Sequence, residues 1–367
     1  MNLFRMILKN AVVLLVCVVA GVAYGHVADF TMSDFNPLAN LELFRRYDCG
    51  HLDIFIENDG GIVKFNNKSD KHYTSGLQVN YAAHPQWAKN LTYELQQYLP
   101  YENSEGNPVR SAAGFAIGQQ IYTPNNIHLA SLQPNDRPYA GWLYGSIFYQ
   151  RANNKHYDHL QIDLGVVGPS ALSGTTQSLI HTLFQIQEPK GWDNQLKDEI
   201  GFNLRYKHKW KYNVVGHGFE DHFKIQMIPA AGITLGNINR ELTAGATLRI
   251  GLNLPQDFGP GRIDDIPSYT HTSYRADQGT WKVYNAYFFA GYQASYVEHD
   301  TFIQGNNYHG SHSKELENWV GRTTLGISAQ WQRFQFTYSE TFITKQFVGQ
   351  SSGDSYATFM LRWHIDF

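Results

Sequence analysis

The sequence predicts an all-β protein, a transmembrane antiparallel up-and-down β-barrel of about twelve strands. Composition carries the first part of that reading: charged residues make up 17% and aromatics 14%, with 23 Tyr, 22 Phe and 32 Gly in 367 residues. A helical membrane protein needs several stretches of about 18 uncharged apolar residues, and the chain is not built of them. Short segments instead alternate polar with apolar or aromatic residues, the pattern of a wall with lipid on one face and water on the other. The same composition excludes a disordered or collagenous chain.

The first residues read as an export signal. Arg5 and Lys9 precede an apolar run over residues 11–23, and Ala23-Tyr24-Gly25 leaves small residues where a signal peptidase reads. Residues 1–25 are therefore expected to be removed, leaving 26–367 as the barrel. Cys17 leaves with the signal, so Cys49 is the single mature cysteine and no internal disulfide forms. The formal charge moves from −3 to −5, because Arg5 and Lys9 go and no acid goes with them. No basic tract supports nucleic-acid binding.

The strands follow from alternation. Ile200, Phe202, Leu204, Tyr206, Trp210 and Tyr212 alternate with Gly201, Asn203, Arg205, Lys207, Lys209 and Lys211, which places the lysines on one face of a strand, opposite the aromatics. Leu160, Ile162, Leu164 and Val166 repeat the pattern, as do Leu242, Ala244, Ala246, Leu248 and Ile250. The final strand sets Phe359, Leu361, Trp363, Ile365 and Phe367 against Thr358, Met360, Arg362, His364 and Asp366, and its terminal aromatic resembles the assembly signal of outer-membrane barrels. Strands are expected near 51–57, 73–84, 113–122, 139–152, 158–168, 199–212, 221–235, 241–254, 281–297, 317–330, 332–344 and 355–367. An even count closes the sheet without an edge, which lipid would penalise by several kcal/mol per unpaired backbone group.

One segment breaks the period. Between residues 173 and 187, Leu179, Ile180, Leu183, Phe184 and Ile186 take helical spacing, with Thr175 or Thr176 available as an N-cap. A short loop helix is predicted there. Gln177 and His181 are four apart and project from one face of it. Such an insert does nothing to close the wall, so its imidazole is a candidate for chemistry, beside the plainer reading of a histidine that satisfies one hydrogen bond.

Three other clusters stand out. Glu57-Asn58-Asp59-Gly60-Gly61 ends the first strand with hard oxygen donors and turn-permitting glycines; alone it reads as an Asx turn, since one carboxylate and an amide do not fill a calcium shell. Tyr73-Thr74-Ser75-Gly76-Leu77 opens the second strand at the same rim, without the Gly-x-Ser-x-Gly elbow of a serine nucleophile. Gly118-Gln119-Gln120-Ile121-Tyr122-Thr123-Pro124 and Asn135-Asp136-Arg137-Pro138-Tyr139-Ala140-Gly141-Trp142 bracket a loop whose base Asp136 and Arg137 are expected to latch by pairing.

These motifs, with Asp163-Leu164-Gly165-Val166-Val167-Gly168-Pro169 and the stretch from Gln177 to His181 followed by Gly191-Trp192, together resemble the LpxR family of outer-membrane lipid A 3'-O-deacylases. The resemblance is dense in the first half of the mature chain and is one of barrel character in the second. It implies a twelve-stranded barrel whose site lies between the wall and a loop helix near the outer rim. The implied chemistry is that of secreted phospholipase A2, a histidine-activated water with calcium as the oxyanion site. Matched residue by residue, His181 is the general base, Asp59 belongs to the Ca2+ site, and Asn58, Thr74 and Gln177 support it. The family's acidic position after the histidine falls at Gln187, beside Glu188, and the loop over 125–135 offers only His128 where relatives have adjacent basic residues.

The expectation is then a calcium-dependent carboxylic ester hydrolase of the bacterial outer membrane. It would act as a monomer among outer-membrane lipids and release the 3'-linked acyloxyacyl group of lipid A in lipopolysaccharide. An outer-membrane phospholipase A, or a barrel kept as a pore or adhesin without activity, are the alternatives.

Overall fold

The computed structural model describes residues 50–60, 71–104, 107–185, 187–216, 222–270 and 284–365, all within one compact unit, Arg46–Phe367. The expected signal segment, Cys49 and the terminal Phe367 lie outside the described residues. The strands are β1 (Gly50–Asn58), β2 (His72–Ala83), β3 (Arg110–Thr123), β4 (Ala140–Ala152), β5 (His156–Val167), β6 (Glu199–Trp210), β7 (Tyr212–Val215), β8 (Phe223–Gly236), β9 (Asn239–Leu252), β10 (Tyr284–Asp300), β11 (Trp319–Trp331), β12 (Phe334–Ile343) and β13 (Asp354–Ile365). Neighbours in sequence pair antiparallel, and β1 pairs with β13 from Gly50↔Ile365 to Asn58↔Ala357. β7 continues β6 after Lys211, and both pair with β8. Thirteen strands thus make twelve staves of a closed barrel, one at each expected position.

The wall is turned inside out relative to a soluble protein. Ile162, Leu164, Ile200, Phe202, Leu242, Leu325 and Trp363 are exposed on its outside, while Asp53, Asn80, Asp163, Asn203, Arg249, Thr358 and Arg362 are buried within. This is the distribution that lipid outside and a polar lumen select.

The lumen is filled by the chain itself. Residues 254–270, between β9 and β10, hydrogen-bond inward-facing side chains around the ring. Ile263 N donates to Glu57 Oε1 (3.0 Å), Tyr269 OH to Asp53 Oδ2 (2.8 Å), and Tyr269 N to Gln150 Oε1 (2.9 Å). Arg262 reaches Thr324 Oγ1 (3.0 Å), and Arg249 pairs with Asp257. The lysines of β6 serve the same plug, since Lys207 and Lys209 each lie 3.1 Å from Asp265 Oδ1 and Lys211 Nζ donates to Gln256 O at 2.6 Å. Their face therefore belongs to a packed charge network. Planar-bilayer recordings are expected to show no stable open channel, and steady porin-like conductance would contradict a lumen plugged in this way.

Two helices lie beside the wall. α1 (Gln86–Tyr98) was not anticipated from the sequence, although Trp87, Leu91, Leu95 and Tyr98 follow helical spacing. It lies against the outside of β3 at the rim carrying residues 50 and 365, Ala88 packing with Ala113, and reaches β4 where Thr92 Oγ1 meets the Tyr149 hydroxyl at 2.6 Å. α2 (Ser173–Phe184) is the expected loop helix, at the opposite rim. Its start differs from the N-cap expected at Thr175 or Thr176. A single 3-10 turn, Pro169–Ala171, leads into Leu172 in the left-handed region (φ 58°), so the helix begins before either threonine and both fall inside its first turn. A third, four-residue helix, α3 (Thr301–Gln304), follows β10 at the α2 rim, with Asp300 capping Phe302 N at 2.8 Å.

Candidate functional site

The rim where β1 ends and β2 begins carries Asn58, Asp59 and Thr74 in mutual hydrogen-bond contact, and the helix bearing Gln177 and His181 lies at the same rim against β3 and β4. Alternation decides which side each occupies. Ile54, Ile56 and Asn58 share the outward parity of β1, whereas Glu57 turns inward and accepts from Tyr73 OH (2.6 Å) and Ile263 N. Glu57 is thereby separated from the Asn58–Asp59 corner. On β2 the register slips between Tyr73 and Ser75, leaving Thr74 as the extra residue of a β-bulge. Without that insertion Tyr73 would follow Ser75 and Leu77 outward. With it Tyr73 packs inward, and the Thr74 hydroxyl bonds Thr123 Oγ1 (2.7 Å) on the outward parity of β3.

The bulge carbonyl binds the corner. Thr74 O accepts from Asn58 Nδ2 (3.1 Å) and from Asp59 N (3.2 Å), Asn58 Oδ1 accepts from Gly60 N (2.9 Å), and Asp59 Oδ2 accepts from Lys71 N (2.8 Å). Its donors are all hard oxygens, which suits a calcium ion rather than a soft metal. Among the described residues no three His, Cys, Asp or Glu side chains gather as a metal shell. A calcium ion here would need main-chain carbonyls, water or substrate to complete its six to eight oxygens beside Asp59.

Helix α2 lies against the outer faces of β3 and β4 at this same rim. Gln119, on the parity of lipid-facing Phe115 and Ile117, donates to Ala171 O at 2.6 Å just ahead of the helix. Gly141 permits the approach, since a Cβ there would run into the Ser173 side chain. The helix buries a polar stripe, Ser173, Gln177 and His181, and exposes Leu172, Leu179, Ile180 and Leu183. That polarity suits a helix held between a polar site on the wall and surrounding lipid. Trp192, on the return segment, packs on Tyr139 (ring centroids 5.1 Å apart) and donates to Gln177 Oε1 at 2.8 Å.

His181 is 3% exposed, and its Nδ1 lies 2.6 Å from the carbonyl oxygen of Gln187. A carbonyl only accepts, so Nδ1 carries a proton, and Nε2 is the basic nitrogen whenever the ring is neutral. The main chain at Gln187 thus orients the imidazole, while Glu188 accepts from the Thr182 hydroxyl (2.7 Å). Gln187→Ala is therefore expected to keep activity within about threefold of the parent, since the carbonyl remains; a loss comparable to removing the histidine, in an ester-release assay, would show that the side chain does the orienting.

The Asp136–Arg137 latch has different partners from those expected. Asp136 holds His72 Nε2 (3.0 Å) and Asn125 N (2.8 Å), while the Arg137 guanidinium turns away to Phe302 O (3.1 Å) and the face of Tyr122. His72 Nδ1 meets Asp354 Oδ2 at 2.6 Å. Both ring nitrogens face carboxylates, so both donate and the ring is an imidazolium. Burial favours a protonated Asp136, but the bonds from His72 and from the amides of Asn125 and Arg137 outweigh it and hold the carboxyl below the usual range. His72 sits in the left-handed region (φ 59°), directly after the Lys71 amide that binds Asp59. Sequence reasoning missed this clamp. Ser75, the alternative nucleophile, has no histidine hydrogen-bonded to it among the described residues, which leaves a serine mechanism without a base.

Comparison with known proteins fits this geometry. The family model described as "Outer membrane protein LpxR" matches residues 14–365. The chain belongs to the LpxR family. This LpxR-family barrel is accordingly an outer-membrane protein, and its twelve closed staves agree with that location. Its fold resembles LpxR from Salmonella typhimurium, with a TM-score of 0.67 at 19% identity over 85% of this chain and 99% of that one. The β domain of the Bordetella autotransporter BrkA is more distant, with a TM-score of 0.41 and 9% identity over 87% of this chain and 99% of that one. No curated protein sequence matches the LpxR-family chain.

Proposed function

We propose that the protein is a lipid A 3'-O-deacylase, hydrolysing the 3'-linked acyloxyacyl ester with a water deprotonated by His181. One observation carries the reading: α2 presses a buried polar stripe ending in His181 onto the lipid-facing side of the wall, at the rim that also holds Asn58, Asp59 and the Thr74 bulge. A site outside the barrel admits a substrate that stays in its leaflet. With that rim outward, the site lies at the depth of the sugar–acyl linkages of lipopolysaccharide.

His181 Nε2 takes the proton from the attacking water, Nδ1–H remaining on the Gln187 carbonyl, and returns it to the leaving sugar oxygen. Gln177, tied to Trp192, fixes the helix face beside the base. Asp59 and Asn58 are the residues to hold Ca2+, whose charge would stabilise the oxyanion of the tetrahedral intermediate. Thr74 holds both of them through its carbonyl.

Mass spectra of lipid A from cells with and without the protein test this. A mass loss equal to the 3'-acyloxyacyl group is expected only in cells that carry it, and an unchanged spectrum would overturn the assignment. Parallel assays on glycerophospholipids separate the phospholipase A alternative, and the filled lumen disfavours a pore.

A further inference from the structure

A second polar cluster lies on the outside of the wall at the opposite rim. His156 opens β5 and His208 lies near the end of β6, on the parities of the lipid-facing Leu160 and Phe202. Between them Asp158 gathers Arg151 Nε (2.7 Å), Tyr206 OH (2.6 Å), Tyr101 OH (2.7 Å) and His208 Nδ1 (2.7 Å). A carboxylate on Nδ1 places the neutral ring's proton there and its lone pair on Nε2, the arrangement in which histidine binds metals.

That Nε2 lies 3.5 Å from Nδ1 of His156. N–H hydrogen bonds to oxygen cluster near 2.9–3.0 Å, so at this separation a bond between the rings is poor. Two imidazole nitrogens sharing one tetrahedral cation at about 2.0–2.1 Å stand about 3.4 Å apart. The observed spacing matches the second arrangement better than the first. A cavity of about 370 Å3 opens on the pair, and Glu102 also lines it.

We propose that His156 Nδ1 and His208 Nε2 bind a divalent transition cation, zinc, with water completing its tetrahedron and Asp158 as the carboxylate that orients His208. Neutral imidazole prefers such a cation to calcium, so the site is chemically distinct from the Asn58–Asp59 corner. The bound ion would bridge adjacent staves β5 and β6 at their lipid-facing side.

The test uses the full-length protein in detergent, stripped of metal and titrated with Zn2+ in millimolar Ca2+. One zinc site that calcium does not displace is expected. Asp158→Asn should weaken it by about 10- to 100-fold. With Cu2+ as the spectroscopic probe, electron paramagnetic resonance should show two coupled imidazole nitrogens, and one in His156→Ala. Zinc uptake that is absent in the parent, or unchanged in the His156→Ala, His208→Ala double variant, overturns the proposal. Should that variant fail to fold, as judged by loss of its heat-modifiable gel mobility, a copper spectrum of the parent with fewer than two nitrogens overturns it equally.

Discussion

Replacing His181 with alanine is expected to lower ester release by about 100- to 10,000-fold while leaving a folded barrel, the range that loss of a general base usually spans. The fold should survive because the residue sits on a helix outside the wall and not in a stave. Its bond to the Gln187 carbonyl positions the ring. The loss should appear in kcat rather than in KM, since proton abstraction belongs to the transition state. Retained 3'-deacylation by the folded variant, read by mass spectrometry of lipid A, would remove His181 from the mechanism.

Withdrawing calcium should be as costly. A divalent charge at a developing oxyanion is worth several kcal/mol, so excess EGTA is expected to cut turnover by at least about 100-fold, with recovery when Ca2+ is restored. Asp59→Asn should raise the calcium concentration needed for half-maximal activity, because Asp59 brings a carboxylate to the corner and an amide binds the ion less well. The Thr74 carbonyl would still hold the corner through Asn58, so the variant should unfold at nearly the parent temperature. Full activity in EGTA would defeat the calcium reading and turn attention to Ser75.

The staves were legible because lipid outside and polar groups inside force every second residue apart, and that constraint acts locally along each strand. Gln177 and His181 were legible for a similar reason, their spacing placing both on one helical face. Features made by distant partners were not. His72 looks like any rim histidine until Asp136, 64 residues on, and Asp354, 282 residues on, close around it. The Thr74 bulge inserts one residue into a ladder, and nothing in Tyr73-Thr74-Ser75 marks it. Residues 254–270 carry no period because they lie in no wall. Arg137 lost its expected partner because Asp136 meets a better-placed cation in His72, while the guanidinium is buried against Phe302 O.

The segment crossing the lumen also constrains how the molecule is put together. Its anchors on β1 are remote in sequence, Ile263 from Glu57 by 206 residues and Tyr269 from Asp53 by 216, and the Asp53–Arg362 pair beneath it spans 309. Chain entropy opposes such long closures, and they become favourable only once the intervening hairpins are in place. Both ends of this connection lie at one rim, where Leu252 pairs with Ala286, so the segment enters the ring as a loop and needs no threading. A barrel without it would leave its luminal acids and bases facing one another across water, so the segment supplies the inner wall with its counter-charges.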